Sequence, residues 1–374
     1  MEARREMLMP EEYCCPNCFD DSGIAEDLIP IVINNLDSKD LPSCCSFCKD
    51  TRGPFVPPKS LKQWFDLVID CYTIDSSGRS LVDIISSDWG VLSSLETSVA
   101  KRLLESISEG DYEVNKKFSP RVELAEDENG DLTFLREETW DALREEVMHK
   151  NHWFHDNELQ LEYLANAFQN VAFSEAEESS WYRCRIARSG DTYRLKDMGA
   201  PPRDKVKYGR VNPSGIQCLY LASDTETAIA EVRPHAGETV YVAEGRGKLE
   251  GIVDLCNPRS RVSPFKLKSS SEIMKVRNDL SFLRHLGVEL SSPVQPSSSS
   301  YEYIPSQYLC EFIKYKGFNG ILYKSSVCST GRNLALFDPN WCNNFTNLRS
   351  YQISTFSVSI CEQNSICRFN MTIE

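Results

Sequence analysis

The chain has 374 residues, of which 41% are hydrophobic and 26% are charged, and its formal net charge is −14. This is the composition of an ordinary soluble protein, and the length allows two or three domains. No apolar run approaches the roughly 18 residues that span a bilayer, and the first residues lack the apolar segment of a secretory signal. We therefore expect a cytoplasmic protein that does not contact membranes.

The charge is distributed unevenly along the chain. Residues 1–180 contain 16 Lys and Arg against 37 Asp and Glu, whereas residues 181–345 contain 23 against 16. The acidic front half argues against nonspecific nucleic-acid binding, and we expect no nucleic-acid partner. The moderately basic back half suits a small ligand that carries phosphate, although a solvated mixed surface is the commoner alternative.

Fifteen cysteines are many for a cytoplasmic chain, and six of them cluster near the N-terminus. Two Cys-x-x-Cys knuckles in this cluster predict a structural Zn²⁺ site of four thiolates. The knuckles are Cys15 with Cys18 and Cys45 with Cys48. The doubled cysteines Cys14 and Cys44 leave the ligand open within each pair, and reduced thiols without a metal are the alternative. A catalytic metal is disfavoured because the first histidine of the chain is His149.

Apolar residues at helical spacing predict four helices in the first half of the chain, over residues 60–74, 95–107, 140–147 and 161–171. We therefore divide this half into a Cys-rich module, residues 1–55, and a mainly helical region, residues 56–178.

After Ser180 the pattern changes to short strands separated by few helices, which indicates an α+β fold. Strands are predicted at residues 181–187, 216–222, 239–243, 249–255, 319–324 and 333–337, and helices at 272–286 and 305–316. Ser223 and Glu226 predict a capping box that opens a further helix ending at Val232. A serine-rich stretch at 291–300 predicts a flexible insert. We assign residues 179–345 to one domain and 346–374 to a C-terminal extension.

The residues that best fit a chemical role lie between Lys207 and Val232. Arg210 follows Gly209 in a polar turn and offers two parallel hydrogen bonds to a pyrophosphate. Tyr220 lies on the next predicted strand, and Glu231 ends the helix after it. A cation, an aromatic ring and a carboxylate can together hold a charged nucleotide and break its glycosidic bond. Because a buried carboxylate is costly without a partner, a structural Glu–Arg ion pair is the alternative.

Three motifs occur here in order: G-R-x-N-x-x-G, L-Y-x-A and T-A-x-A-E. Together with the run ILYKSS…GRNLALF they resemble the RES domain, a family of NAD-degrading bacterial toxins, from about residue 182 to 339. The family places an arginine on the opening strand, which is Arg183 or Arg185 here, and a serine about eight residues before an asparagine. Ser325 and Asn333 satisfy that spacing, with Ser326 as the neighbouring alternative.

This resemblance implies a fold like that of the ADP-ribosyltransferases, with two small sheets flanking a cleft for NAD⁺. It implies a toxin-like enzyme that cleaves the nicotinamide–ribose bond of NAD⁺ by hydrolysis or phosphorolysis. Glu231, Tyr220, Arg210 and Ser325 would be the catalytic residues. The residues that would bind NAD⁺ are Arg183, Arg185, Arg210, Asn212, Tyr220, Ser325 and Asn333. A cognate antitoxin or a sensor protein is an expected partner.

The Cys-rich module and the helices after it are similar to an N-terminal domain found ahead of RES and HEPN domains, which implies a regulatory role. Arg144 and His149 also match the R-x₄-H pattern of HEPN ribonucleases. Three alternatives to NAD⁺ breakdown therefore stay open. They are a HEPN-like ribonuclease that acts through this pair, a protein ADP-ribosyltransferase, and a nucleotide-binding interaction module without turnover.

Overall fold

The computed structural model describes residues 12–35, 42–125, 137–152, 158–173, 177–188, 191–292, 300–340 and 345–354. Most of the serine-rich insert, residues 293–299, and the C-terminal extension after residue 354 lie outside this part of the chain. Within the described ranges, no helix is both long enough and apolar enough to cross a membrane.

The first half of the chain contains mostly helices together with a two-stranded antiparallel sheet. A π-helical segment, Gly23–Leu28, precedes the first α-helix. The elements that follow are α1 (Ile29–Asn34), α2 (Lys62–Ile69), β1 (Tyr72–Arg79), α3 (Leu81–Trp89), α4 (Thr97–Ile107), α5 (Tyr112–Asn115), β2 (Val122–Leu124), α6 (Glu137–His149) and α7 (Glu158–Val171).

The helix predicted over residues 60–74 ends early, at Ile69. Tyr72 and Ile74, which continue its apolar spacing, instead begin β1 and pair with Leu124 and Val122 of β2. Tyr72 is fully buried there, and its hydroxyl accepts a hydrogen bond from the indole of Trp89 at 3.1 Å. The partner strand lies about fifty residues away, so local periodicity could not reveal it.

The second half builds the larger sheet. Its elements are β3 (Glu177–Ala187), β4 (Leu219–Ala222), α8 (Thr225–Val232), β5 (Thr239–Leu249), β6 (Ile252–Asp254), α9 (Ser270–Ser291), α10 (Ile304–Tyr315), β7 (Gly320–Lys324), β8 (Arg332–Leu336) and β9 (Phe345–Gln352). Helix α8 is capped by Asp224, whose carboxylate accepts from the backbone and hydroxyl of Thr227, both at 2.7 Å, so the predicted cap at Ser223 was wrong by one residue. Strand β9 was not predicted, and it continues the sheet beyond residue 345.

The seven strands form one sheet in the order β6-β7-β8-β4-β3-β5-β9, so the expectation of two separate sheets was wrong. The halves of this sheet are, however, joined weakly. Strands β3 and β5 pair over eleven residues, and β4 and β8 over four, whereas β3 and β4 meet only at Tyr182 and Ala222. The sheet therefore has a seam between β3 and β4, where the two strands diverge.

The two halves of the chain share one hydrophobic core. The ring of Phe65 in α2 lies 4.7 Å from that of Phe265, centroid to centroid. Arg277 of α9 donates two hydrogen bonds, at 3.0 and 3.2 Å, to the buried carboxylate of Asp88. Helix α9 therefore connects the N-terminal helices to the larger sheet, and its last turn brings Leu290 to the cavity described next.

Candidate active site

A cavity of about 450 Å³ opens at the seam between β3 and β4, a volume suited to a small-molecule ligand. Both residues of the single pair that joins these strands, Tyr182 and Ala222, line it. The residues with polar or aromatic side chains that line this cavity are Tyr182, Arg183, Arg210, Tyr220, Glu231, Tyr303, Tyr323, Lys324, Ser326 and Asn333.

Glu231, at the end of α8, is anchored in this cavity through one of its two carboxylate oxygens. Its Oε1 accepts a hydrogen bond from the Ser325 hydroxyl at 2.6 Å and another from the Asn333 amide at 2.7 Å. Its Oε2 receives no hydrogen bond from the described residues, and the carboxylate forms no ion pair with them. The Glu–Arg pair considered as the structural alternative is thus not formed, and one oxygen remains available to a ligand.

The Ser325 hydroxyl is fixed by hydrogen bonds that it both donates and accepts. It donates to Glu231 and accepts from the backbone amides of Val327 and Cys328, both at 3.2 Å. Its neighbour Ser326 lines the cavity, whereas Ser325 is not among the lining residues. Ser325 therefore orients Glu231 in this structure, and Ser326 is the serine that faces the open space.

Arg210 brings a guanidinium group to the cavity that no described side chain neutralises. Its guanidinium carbon lies 5.9 Å from the ring centroid of Tyr303, within cation–π range. It forms neither an ion pair nor a side-chain hydrogen bond within the described ranges. An unpaired guanidinium in a partly enclosed space favours an anionic ligand.

Arg183 and Arg185 lie on the same face of β3, and only Arg183 lines the cavity. Arg183 donates to the carbonyl of Tyr220 at 2.6 Å, which bridges the seam, and Arg185 donates to the carbonyl of Gly199 at 2.8 Å. The Nε atoms of both arginines are buried without a partner in the described structure. Burial and the neighbouring Arg185 lower the pKa of Arg183 to about 10, so its guanidinium stays charged at neutral pH.

The turn that carries Arg210 is fixed by Tyr220 and Asn212. The Tyr220 hydroxyl donates to Asn212 Oδ1 at 2.6 Å and accepts from the backbone amide of Val211 at 3.2 Å. Helix α10 holds the turn from its other side, because the Gln307 amide donates to the carbonyls of Gly209 and Asn212. The Tyr220 hydroxyl and the Asn212 side chain are thus occupied within the protein, and the ring of Tyr220 is the part that faces the cavity.

Replacing Tyr220 by phenylalanine should destabilise the protein by about 1–3 kcal/mol, because Asn212 Oδ1 and the Val211 amide would be buried without a partner. Chemical denaturation of the purified variant measures this. Tyr208→Phe is a matched control, since Tyr208 belongs to the same turn and is 52% exposed. Equal stability of the two variants would contradict the role given to the Tyr220 hydroxyl.

Four polar or aromatic residues of the cavity were not identified as site residues from the sequence: Tyr182, Tyr303, Tyr323 and Lys324. Tyr303 follows the serine-rich insert, and Lys324 and Tyr323 end β7 just before Ser325. Tyr323 is almost fully buried, and burial together with nearby Glu231 raises its pKa above the usual range for tyrosine. The position of Tyr323 and Lys324 directly before Ser325 and Ser326 was a usable signal for both residues.

The two cysteine knuckles converge on one point in the N-terminal module. The sulfur atoms of Cys15, Cys18, Cys45 and Cys48 all lie within 4.8 Å of one another. A tetrahedral Zn²⁺ with Zn–S bonds of about 2.3 Å would place its sulfur ligands roughly 3.8 Å apart, so this donor set fits such an ion. Cys14 is buried elsewhere, with its thiol 3.5 Å from the carbonyl of Val56, and Cys44 lies outside the cluster.

Arg144 and His149 on α6 do not line the cavity described above. Arg144 pairs with Glu289 of α9 at 3.1 Å, and the ring of His149 lies 6.0 Å from that of Tyr301. These contacts join α6 to the second half of the chain. They are the contacts of a helix interface.

Comparison with known proteins identifies the second half of the chain. The family model described as the RES domain matches residues 180–352, so the chain contains a RES domain. A solved structure, the M. tuberculosis MbcT–MbcA toxin–antitoxin complex, is similar over 51% of this chain and 93% of that one, with 13% sequence identity and a TM-score of 0.31. No curated protein gave a significant match.

Proposed function

We propose that this RES domain is a toxin-like enzyme that breaks the bond between nicotinamide and ribose in NAD⁺ and transfers the ADP-ribosyl group to water or phosphate. The match to the RES family over residues 180–352 supports the substrate class. The observation that carries the proposal is the cavity itself. It holds the carboxylate of Glu231, one oxygen of which receives no hydrogen bond from the described residues. It also holds the guanidinium groups of Arg183 and Arg210, neither of which forms an ion pair with a described residue.

The charges of the cavity fit this reaction. Nicotinamide leaves NAD⁺ as a neutral molecule because its ring nitrogen takes the electron pair of the broken bond, so the leaving group needs no proton. Positive charge develops on the ribose as the bond breaks, and Glu231 Oε2 can stabilise it. The hydrogen bonds from Ser325 and Asn333 to Oε1 fix this carboxylate before the substrate arrives.

The arginines would act on the other part of the dinucleotide. The Arg210 guanidinium forms no ion pair or hydrogen bond with a described side chain, and it can form two hydrogen bonds to a pyrophosphate. Arg183 adds a second positive charge next to Tyr220. Binding energy from the pyrophosphate would then hold the ribose beside Glu231, which raises the rate by orientation.

Analysis of the products of NAD⁺ with and without inorganic phosphate tests the proposal. We expect purified protein to release nicotinamide, with ADP-ribose as the other product of hydrolysis or ADP-ribose-1″-phosphate as the product of phosphorolysis. An ADP-ribosyl group that stays attached to the protein would instead identify ADP-ribosyl transfer. NAD⁺ that remains intact in all these conditions would contradict the proposed function.

An enzyme that consumes NAD⁺ harms the cell that makes it unless its activity is restrained. We therefore propose a neutralising protein partner, as the resemblance to toxins implies. In a bacterial host, expression of the chain alone should lower the NAD⁺ content of the cells, and co-expression of such a partner should restore it.

A further inference from the structure

Tyr323 lies in the same row of the sheet as Asn333, whose side chain bonds Glu231. In the β7–β8 pair, Tyr323 stands directly opposite Asn333, and in the β8–β4 pair Asn333 stands opposite Ala222. Directly opposed residues of antiparallel strands present their side chains on the same face. Tyr323 therefore shares a face with Asn333, whose amide donates to Glu231, and it lines the same cavity.

The phenol of Tyr323 is polar, almost fully buried and unused by the protein. Its residue is only 5% exposed, yet its hydroxyl makes no hydrogen bond to any described residue. Because Tyr323 lines the cavity, a ligand there can form a hydrogen bond with this hydroxyl. Glu231 and Arg210 line the same cavity as Tyr323, and both charges act on the pKa of its phenol.

We propose that Tyr323 is a further catalytic residue of the RES site, whose hydroxyl hydrogen-bonds a ribose hydroxyl of the substrate next to the bond that breaks. The assignment rests on the proposed breakdown of NAD⁺. The ligand would supply the partner that the protein lacks. The phenol stays neutral and can donate, because burial and Glu231 hold its pKa above the usual range.

This role differs from that of Tyr220. The Tyr220 hydroxyl is already satisfied by Asn212 and Val211, so its loss acts first on the turn. The Tyr323 hydroxyl has no partner in the described structure, so its loss should leave the free protein unaltered. A defect in the Tyr323→Phe variant would therefore appear only when substrate reacts.

Steady-state release of nicotinamide from NAD⁺ by wild type and Tyr323→Phe, together with the melting temperature of each, tests this proposal. We expect kcat to fall about 10- to 100-fold, the effect of losing one hydrogen bond to a ribose that becomes positively charged in the transition state. We expect KM to change by less than about threefold and the melting temperature to stay the same. Tyr315→Phe is the control and should match wild type, because Tyr315 is 82% exposed at the end of α10.

Three results would overturn the assignment. An unchanged kcat/KM would show that the hydroxyl does not contact the substrate, and a rise in KM alone would place the contact away from the reacting bond. A lower melting temperature would show that the hydroxyl has a partner in the protein. Wild-type protein without turnover would instead remove the proposed function, and the role of Tyr323 with it.

Discussion

Replacing Glu231 by glutamine should slow the release of nicotinamide from NAD⁺ by about 10²- to 10⁴-fold, because the charge that stabilises the developing positive charge on ribose is removed. The substitution conserves shape. The amide oxygen of the new side chain can still accept the hydrogen bonds from Ser325 and Asn333 that now reach Glu231 Oε1 at 2.6 and 2.7 Å. The loss should therefore appear in kcat, with the fold preserved.

The chain offers a matched control on the same helix. Glu226 lies in the first turn of α8, is exposed and does not line the cavity. Glu226→Gln removes the same charge from the same element and should leave turnover near the wild-type rate. Chromatography of the products over time measures both variants. Comparable rates for Glu231→Gln and wild type would rule out a catalytic role for this carboxylate.

Replacing Cys18 by serine should abolish tight Zn²⁺ binding and destabilise the N-terminal module, because a serine hydroxyl does not replace a thiolate in a structural zinc site. We propose that the four sulfurs hold one such ion. We expect about one zinc ion per chain in wild type, measured by elemental analysis of protein purified without added metal, and far less in the variant.

We expect the loss of Zn²⁺ to destabilise the rest of the chain as well. Phe19 follows Cys18 directly, and its ring lies 5.9 Å from that of Phe65, which in turn packs on Phe265 of the RES domain. Replacing Cys18 should therefore disturb the packing of the hydrophobic core that both halves of the chain share. We expect the melting temperature of the whole protein to fall. Cys44→Ser is the control, because Cys44 lies outside the cluster. A zinc content that is unchanged in Cys18→Ser would contradict the site.

Features that depend only on neighbouring residues could be predicted from the sequence. Alternating side chains in Trp181–Ala187 predicted β3, and the apolar run before Ala222 predicted β4. Apolar residues at helical spacing predicted α9 and α10. These patterns reflect the periods of strands and helices, which act over a few residues. The motif order also located the RES domain, which the family match confirms at residues 180–352.

Which of these elements contact one another could be seen only in the folded protein. Ser325 and Asn333 reach Glu231 across 94 and 102 residues, because β4 and β8 pair in a register that places Ala222 beside Asn333. Three further features depend on residues that are distant in the sequence. They are the seam between β3 and β4, the end of α2 at Ile69 and the additional strand β9. A strand's register and its neighbours are set by side-chain packing over the whole domain, and no local pattern encodes them.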